Sequence, residues 1–498
     1  MDSNDITRRR VIGTLGAAGT IGLAGCGGDG GDGSDGSDGS SGSDGSSGSD
    51  GSSGSDGSSG SDGGDGSSGG DGSDGGDGTA EGAKSRSRPD ATVRIGMVQP
   101  QSGALGPYGN IALRGFNTFF GYAGADIPSE TGTGTNTFEL GDTTYEVEVR
   151  DSTGAPGEAQ TQAREMAQNV DILAGGTSSA SAIAIANNVA KRANVPYMAG
   201  PAATVSLTGS SENCGETVFR ASETVAMDAQ SGGQYVANET DIGSVYIYYA
   251  DYSFGQSVFE NYRRVLEANG VSVAGSQALP QGYSADWPGQ LENATNAGVD
   301  AIIGGFTVAT LPAMLGTYLA NDYDFRFVGG WGTRLSGGAL GGILADALPE
   351  LTAEAIDDAG LGPLTTRYHW NQYDNDINTE ANQVHRDAYG TNADLFTSGM
   401  FTAASAIDQA VSVSGSSNGD DIREALKGMS VTTTMKGEGG YQFQEWNNQA
   451  RSAMTVADPI PTEDTQYWDA GIQPSEPVAT YGMDETTQPQ EQQSCDLS

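Results

Sequence analysis

Lysine is almost missing from this chain: Lys84, Lys191, Lys427 and Lys436 are the whole set in 498 residues, against nineteen arginines. Basic residues total 23 and acidic residues 65, a formal charge of −42. With so little cationic surface to track a phosphate backbone, nucleic acid is excluded as a partner. Histidine is scarcer still. His369 and His385 stand sixteen residues apart without cysteine neighbours, so no metal site and no cofactor are predicted, and both rings are expected at the surface. Two histidines leave little for acid–base work, and neither His-Glu-x-x-His nor a P-loop occurs, so the chain is not expected to be an enzyme. The three cysteines are Cys26, Cys214 and Cys495. In an oxidising exterior the last two form one disulfide or stay as two free thiols, and the sequence leaves both readings open.

The carboxylates are there in excess. Only about a dozen lie in residues 27–82, so the remainder of the chain is strongly acidic as well. Abundant carboxylate with little lysine is the composition of proteins from salt-saturated surroundings, where salt screens the self-repulsion of so charged a domain. A haloarchaeal source is the expectation.

At the N-terminus Arg8-Arg9-Arg10 precedes a short apolar run, residues 11–23, that closes in Leu23-Ala24-Gly25-Cys26. A positive start, an apolar core too short to span a bilayer and small residues before a cleavage point describe an export signal. The glycines within it argue against a cytosolic helix. Paired arginines point to the twin-arginine route, which exports folded proteins. Leu-Ala-Gly-Cys resembles a lipobox, in which cleavage before Cys26 leaves a lipid-modified N-terminus. The protein is therefore expected on the extracellular face of the membrane, held there by lipid. Residues 27 to about 82 then repeat Gly, Ser and Asp with no aromatic residue, Lys or Arg. Such a segment cannot offset its ordering entropy and is expected to be disordered. About sixty residues of this kind reach roughly 40–50 Å, a stalk for the domain beyond. The repeat lacks the apolar position that a calcium-binding β-helix needs.

From residue 92 to about 480 strand-like and helix-like stretches alternate. VRIGMV (93–98) reads as a strand, followed by the turn QSGALGPYG and a helix from about Ile111. YEVEVR (145–150) alternates as a strand, and residues 158–170 place Ala159, Ala163, Met166, Ala167 and Val170 on one helical face. DILAGG (171–176), VPYMAG (195–200), SVYIYY (244–249), VSVAG and VDAIIGG (299–305) continue the strands, with helices predicted over 181–193, 255–268 and 287–297. Strands alternating with helices mean an α/β fold with parallel sheets covered on both faces. Roughly 390 residues exceed one core, so two doubly wound lobes are predicted. Ligands of such sheets sit beyond the carboxyl ends of the strands, which directs attention to the turns at 99–109, 175–181, 200–204, 250–255, 305–309 and 329–333.

Those turns carry a resemblance. SGALGPYG before a helix, then GGTSSASAIAIANNVAKRANVPYMAGPAAT, VYIYYADYSFGQ and VDAIIGGFTVATLPAML resemble, in order and spacing over most of residues 92–460, the substrate-binding proteins of branched-chain amino acid ABC transporters. The resemblance implies a type I periplasmic binding protein whose chain crosses three times between lobes joined by a hinge. Residues 91–222 and 356–440 would form the first lobe, 223–355 the second, and 441–498 a crossing segment and tail. It implies a small polar ligand, a branched-chain or related amino acid first of all, captured by hinge closure, with ABC permease subunits and their ATPases as partners. No transmembrane or signalling segment follows residue 480, which favours transport over the rival reading, a ligand-sensing receptor module.

The resemblance also assigns the site. The ligand carboxylate would be held by Ser179, with Ser178 or Ser181 as register alternatives, and by Thr204. The Ala202 carbonyl, in the Ala202-Ala203-Thr204 turn, would accept from the ammonium. Plain helix capping is the competing role for the serines. Phe254 and Phe306, with Tyr252 beside the former, would cover the ligand or simply pack their lobe. One departure stands out: where amino acid binders of this family carry an acidic residue for the ammonium, this chain has Trp331. A tryptophan face attracts a cation but cannot neutralise it. Either Asp251 substitutes, or the ligand lacks an ammonium, as an amide, urea or an aromatic acid does. Asn238-Glu239-Thr240 and Asn293-Ala294-Thr295 fit the glycosylation pattern.

Overall fold

A computed structural model describes residues 82–330 and 333–498. The export signal, Cys26, the Gly/Ser/Asp stretch up to residue 81 and Trp331 lie outside the described residues.

The first sheet has the order β2-β3-β1-β4-β5-β6, with β1 at Ala91–Gln99, β2 at Gly134–Leu140, β3 at Thr143–Asp151, β4 at Ile172–Gly175, β5 at Tyr197–Ala199 and β6 at Val218–Arg220. All neighbours run parallel except the β2–β3 hairpin. Among the parallel strands β1 lies inside, with β3 on one side and β4 on the other, so the order reverses between β1 and β4. Both faces are covered. Ile95, Met97 and Phe116 belong to a core shared with the long helix Leu395–Ser414, while Val98, Ala163, Ile185 and Tyr197 pack on the opposite face. The second sheet, β10-β9-β7-β8, repeats the design with β7 at Ser244–Ala250, β8 at Ser272–Leu279, β9 at Ala301–Gly305 and β10 at Arg326–Phe327. Along β7, Val245 and Ile247 enter one core and Tyr246 and Tyr248 the other, the period of two of a strand buried on both sides.

Local chemistry sets several boundaries. Asp286, Thr333, Asn375 and Asp394 each accept backbone N–H bonds in the first turn of the helix that follows. Gly298, Gly390 and Gly415 end helices in the left-handed conformation. The first helix begins at Gly106, not near Ile111, and runs to Tyr122. Its glycines are packing requirements: a Cβ on Gly109 would fall 1.8 Å from the Pro100 carbonyl oxygen. The helix expected from Ser181 starts at Ser179, and its middle, Ala186–Ala190, is π-helical.

Strands Leu364–Thr366, Met454–Ala457 and Ala479–Tyr481 form a small antiparallel sheet linking the lobes. Between the last two, the hairpin of Pro459–Pro461 with Ile472–Pro474 enters the second lobe, where Ile472 joins the core. The chain thus makes a fourth crossing, one more than the resemblance implied. The return fastens the tail to the first lobe through the Cys214–Cys495 disulfide and an Arg451–Asp484 ion pair. Both histidines are buried, against expectation. His369 stacks edge-on to Trp468 at 4.7 Å and shares a 2.7 Å hydrogen bond with Asn371. His385 lies 2.8 Å from the Thr118 hydroxyl. Burial holds their pKa values down to about 4 and about 3.

Candidate functional site: the cavity between the lobes

The carboxyl ends of the two sheets face one another across a cavity lined from both lobes. Each wall is placed by a strand end. Asp151, closing β3, accepts from the Gln101 and Thr153 backbone N–H groups at 2.8 and 2.7 Å and from the Ser102 hydroxyl, which shapes the loop after β1. That loop leads into Leu105 and Tyr108 on the cavity wall. After β4 the chain turns sharply through Gly175 and Gly176, both at positive φ. A Cβ on them would meet the Val98 carbonyl oxygen at 2.4 Å and the Tyr197 hydroxyl at 2.3 Å, so only glycine fits. Thr177, Ser178 and Ser179 follow on the wall. Gln99 braces this turn, accepting from the Thr177 backbone N–H and hydroxyl and donating to the Gly200 carbonyl. The second lobe supplies Tyr252 and Phe254 after β7 and Thr307 after β9. Phe396, at the start of helix Leu395–Ser414, and Arg367, following the first crossing strand, complete the wall.

Of the residues expected from the sequence, Ser178, Ser179, Ala203, Tyr252 and Phe254 come together here. Ser178 makes no capping hydrogen bond with its side chain, although it occupies the N-cap position. Ser179 accepts from the Thr204 backbone N–H at 3.2 Å, which ties the two turns together. The others are elsewhere. Ser181 is buried behind the wall and donates to the Gly154 carbonyl. Thr204 hydrogen-bonds Ser206 at 3.1 Å, and the Ala202 carbonyl accepts from Arg220. Asp251 is exposed and does not line the cavity. Phe306 does not line this cavity; it lines a neighbouring, mostly apolar one built chiefly from the second lobe and the hairpin that enters it, with Tyr108 on the wall of both.

Arg367 was not foreseen. Its side chain is 2 % exposed and forms a two-pronged pair with Asp228, 2.9 Å from Nε to Oδ1 and 2.5 Å from Nη2 to Oδ2. Burial opposes the guanidinium charge, but Asp228 and Glu223 beside it raise its pKa above the ordinary value. Thr307, also unforeseen, carries a buried hydroxyl with no hydrogen-bond partner among the described residues. No Asp or Glu lines the cavity among those residues. Burial raises the pKa of the Tyr108 and Tyr252 hydroxyls, so both stay neutral donors.

The lobes touch directly. Tyr108 of the first accepts from the Val308 backbone N–H of the second at 2.8 Å, and Ser257 of the second accepts from Val205 N–H at 3.1 Å. Two doubly wound lobes, linked by antiparallel strands and closed over a cavity at their facing strand ends, define a bilobal solute-binding protein of type I architecture. The chain belongs to the periplasmic binding protein family, whose profile matches residues 92–462. This is a family of binding proteins, not enzymes. No curated protein sequence matches the chain. Solved structures with the same fold include an amino acid ABC transporter substrate-binding protein from Pseudomonas fluorescens, at 17% identity over 82% of this chain and 99% of that one, with a TM-score of 0.66. A solute-binding protein of an ABC transporter from Rhodopseudomonas palustris, in complex with 3,4-dihydroxybenzoic acid, has 17% identity over 79% and 98% and a TM-score of 0.61. A leucine-binding protein from Thermotoga maritima has 16% identity over 79% and 99%, also with a TM-score of 0.61.

Proposed function

We propose that this protein is the solute receptor of an ABC importer and that its ligand is a small carboxylate without an ammonium group, of the aromatic-acid class. The observation that carries the ligand reading is the lining: a buried guanidinium on the wall and, among the described residues, no Asp or Glu. An amino acid zwitterion brought here would bury its ammonium without a counter-charge, which costs several kcal/mol. A carboxylate alone meets Arg367 and the hydroxyls of Ser178 and Ser179, while its ring lies among Tyr108, Tyr252, Phe254 and Phe396. A phenolic or other polar substituent would give Thr307 Oγ1 the partner it lacks. Neighbours of this fold include a leucine-binding protein and a solute-binding protein in complex with a hydroxylated benzoic acid, so the fold is compatible with either class, and the lining supports the aromatic acid.

Binding works by closure. The ligand bridges the two lobes, the three crossing strands flex, and contacts such as Tyr108–Val308 latch the closed form. That form is what the permease subunits recognise. The twin-arginine signal, the lipid on Cys26 and the Gly/Ser/Asp stalk keep the receptor on the outer membrane face and raise its concentration near the permease. Native mass spectrometry of the protein from its own cells, followed by calorimetry with benzoate, 4-hydroxybenzoate, leucine and valine, tests the reading. Binding of the benzoates is expected; leucine binding with no response to the benzoates refutes it.

A further inference from the structure

Behind the 201–204 turn lies a second, small cavity, lined by Arg220, Thr208, Thr224, Gln449, Gln488 and Gln493 among others. Arg220 is fully buried. Its Nε donates to Gln449 Oε1 at 2.6 Å, its Nη1 to the Ala202 and Thr204 carbonyls at 2.9 and 2.6 Å, and its Nη2 to the Thr208 hydroxyl at 2.8 Å. Every one of these acceptors is neutral. A guanidinium has five N–H donors, so one on Nη2 is left over. Among the described residues Arg220 has no carboxylate partner, and the charged side chain that acts on it is another cation, Arg367.

The neighbouring buried charges do not make up the difference. Arg367 is matched by Asp228 and Lys436 by Glu223, the latter pair at 2.7 Å. With Arg220 the buried group holds three cations against two carboxylates, a surplus of one positive charge. An unpaired charge is among the costliest things a protein interior can contain. Burial and Arg367 together depress the Arg220 pKa to about 9. The cavity wall offers only hydroxyls and side-chain amides as further polar groups. Gln488 has a buried Oε1 without a partner among the described residues, and a half-turn of that amide presents its NH₂ instead.

We propose that this cavity is a binding site for a single monovalent inorganic anion, chloride in a salt-rich medium, which supplies the counter-charge of Arg220. The ion would join the 201–204 turn, held through the Ala202 and Thr204 carbonyls, to the C-terminal segment that carries Gln449, Gln488 and Gln493. The strongly acidic chain repels anions, so occupancy requires concentrated chloride. The charge count is that of the protein with no carboxylate bound at Arg367, so both tests are made on ligand-free protein, and they stand whichever ligand binds between the lobes.

Crystals of the intact protein grown with bromide replacing chloride, measured at the bromine absorption edge, test it directly. An anomalous peak within hydrogen-bonding distance of Arg220 Nη2 is expected. Bromide on the surface with only water in the cavity overturns the proposal. In solution, unfolding is followed at constant sodium in chloride and in gluconate. Near saturation the unfolding constant should fall about tenfold per tenfold rise in chloride beyond the gluconate effect, and Arg220→Gln should abolish that excess. Identical chloride and gluconate responses of the wild-type protein also overturn it, so the test stands even if the variant does not fold.

Discussion

Arg367 and Asp228 offer a test in which structure and function pull in opposite directions. The two side chains are 2 % and 0 % exposed and joined by two hydrogen bonds, so removing either partner strands the other. Breaking such a pair costs about 3–5 kcal/mol of stability whichever side is cut. Binding should separate them. Arg367→Gln removes a charge-assisted hydrogen bond to the ligand carboxylate, worth about 1.5–3 kcal/mol, which weakens affinity about 10- to 150-fold. Asp228→Asn keeps the guanidinium and takes away its competing carboxylate, so affinity for the same ligand should hold or tighten. Calorimetry with 4-hydroxybenzoate, on samples whose folding is confirmed by a cooperative melt, reads both effects. If the two variants lose affinity by the same factor, the pair is purely architectural and the carboxylate is bound elsewhere. If Arg367→Gln binds as the wild type does, the ligand reading fails.

The buried histidines give a pH signature. The unfolded rings take up protons near pH 6.5, whereas His369 and His385 do so near 4 and 3. Their contribution to stability is complete above pH 6.5 and is lost as pH falls toward the folded values, by up to about 1.4 kcal/mol per pH unit for each ring. Chemical denaturation of His385→Gln between pH 7 and 4 should show a shallower decline than wild type, and parallel curves would contradict the burial. Reduction, or Cys214→Ser, should lower stability by about 2–5 kcal/mol, read as a shift of the guanidinium midpoint. Gly115→Ala places a Cβ 2.2 Å from the Thr397 carbonyl oxygen of helix Leu395–Ser414. A net loss of about 1–3 kcal/mol is expected despite the better helix propensity of alanine, and a more stable variant would show that the helices part easily.

Much of the architecture was legible because parallel strands buried on both sides spell themselves out. VDAIIGG and SVYIYY can be little else, and Trp287–Ala297 has its Asp cap written just before it. The edge strand β2 was not legible: GTNTFEL is too polar to announce pairing, and only its register with β3 makes it a strand. Glycine misled at the first helix, where Gly106 and Gly109 read as loop but serve close packing. On the cavity wall, strand-end reasoning pointed to the turn at 175–181, and the family resemblance to Tyr252 and Phe254. Arg367 was not, because a buried cation is intelligible only with its partner, and Asp228 lies 139 positions away. The histidines were misjudged for a like reason, since Trp468 and Thr118 are distant in sequence.

The bond between Cys214 and Cys495 spans 281 positions, and the whole second sheet lies inside the loop it closes. A protease that nicks any exposed turn of that lobe therefore opens a ring without releasing a fragment. The clipped protein would run as one band on a non-reducing gel and as two after reduction. A receptor working where proteases circulate can so be cut once and stay in one piece.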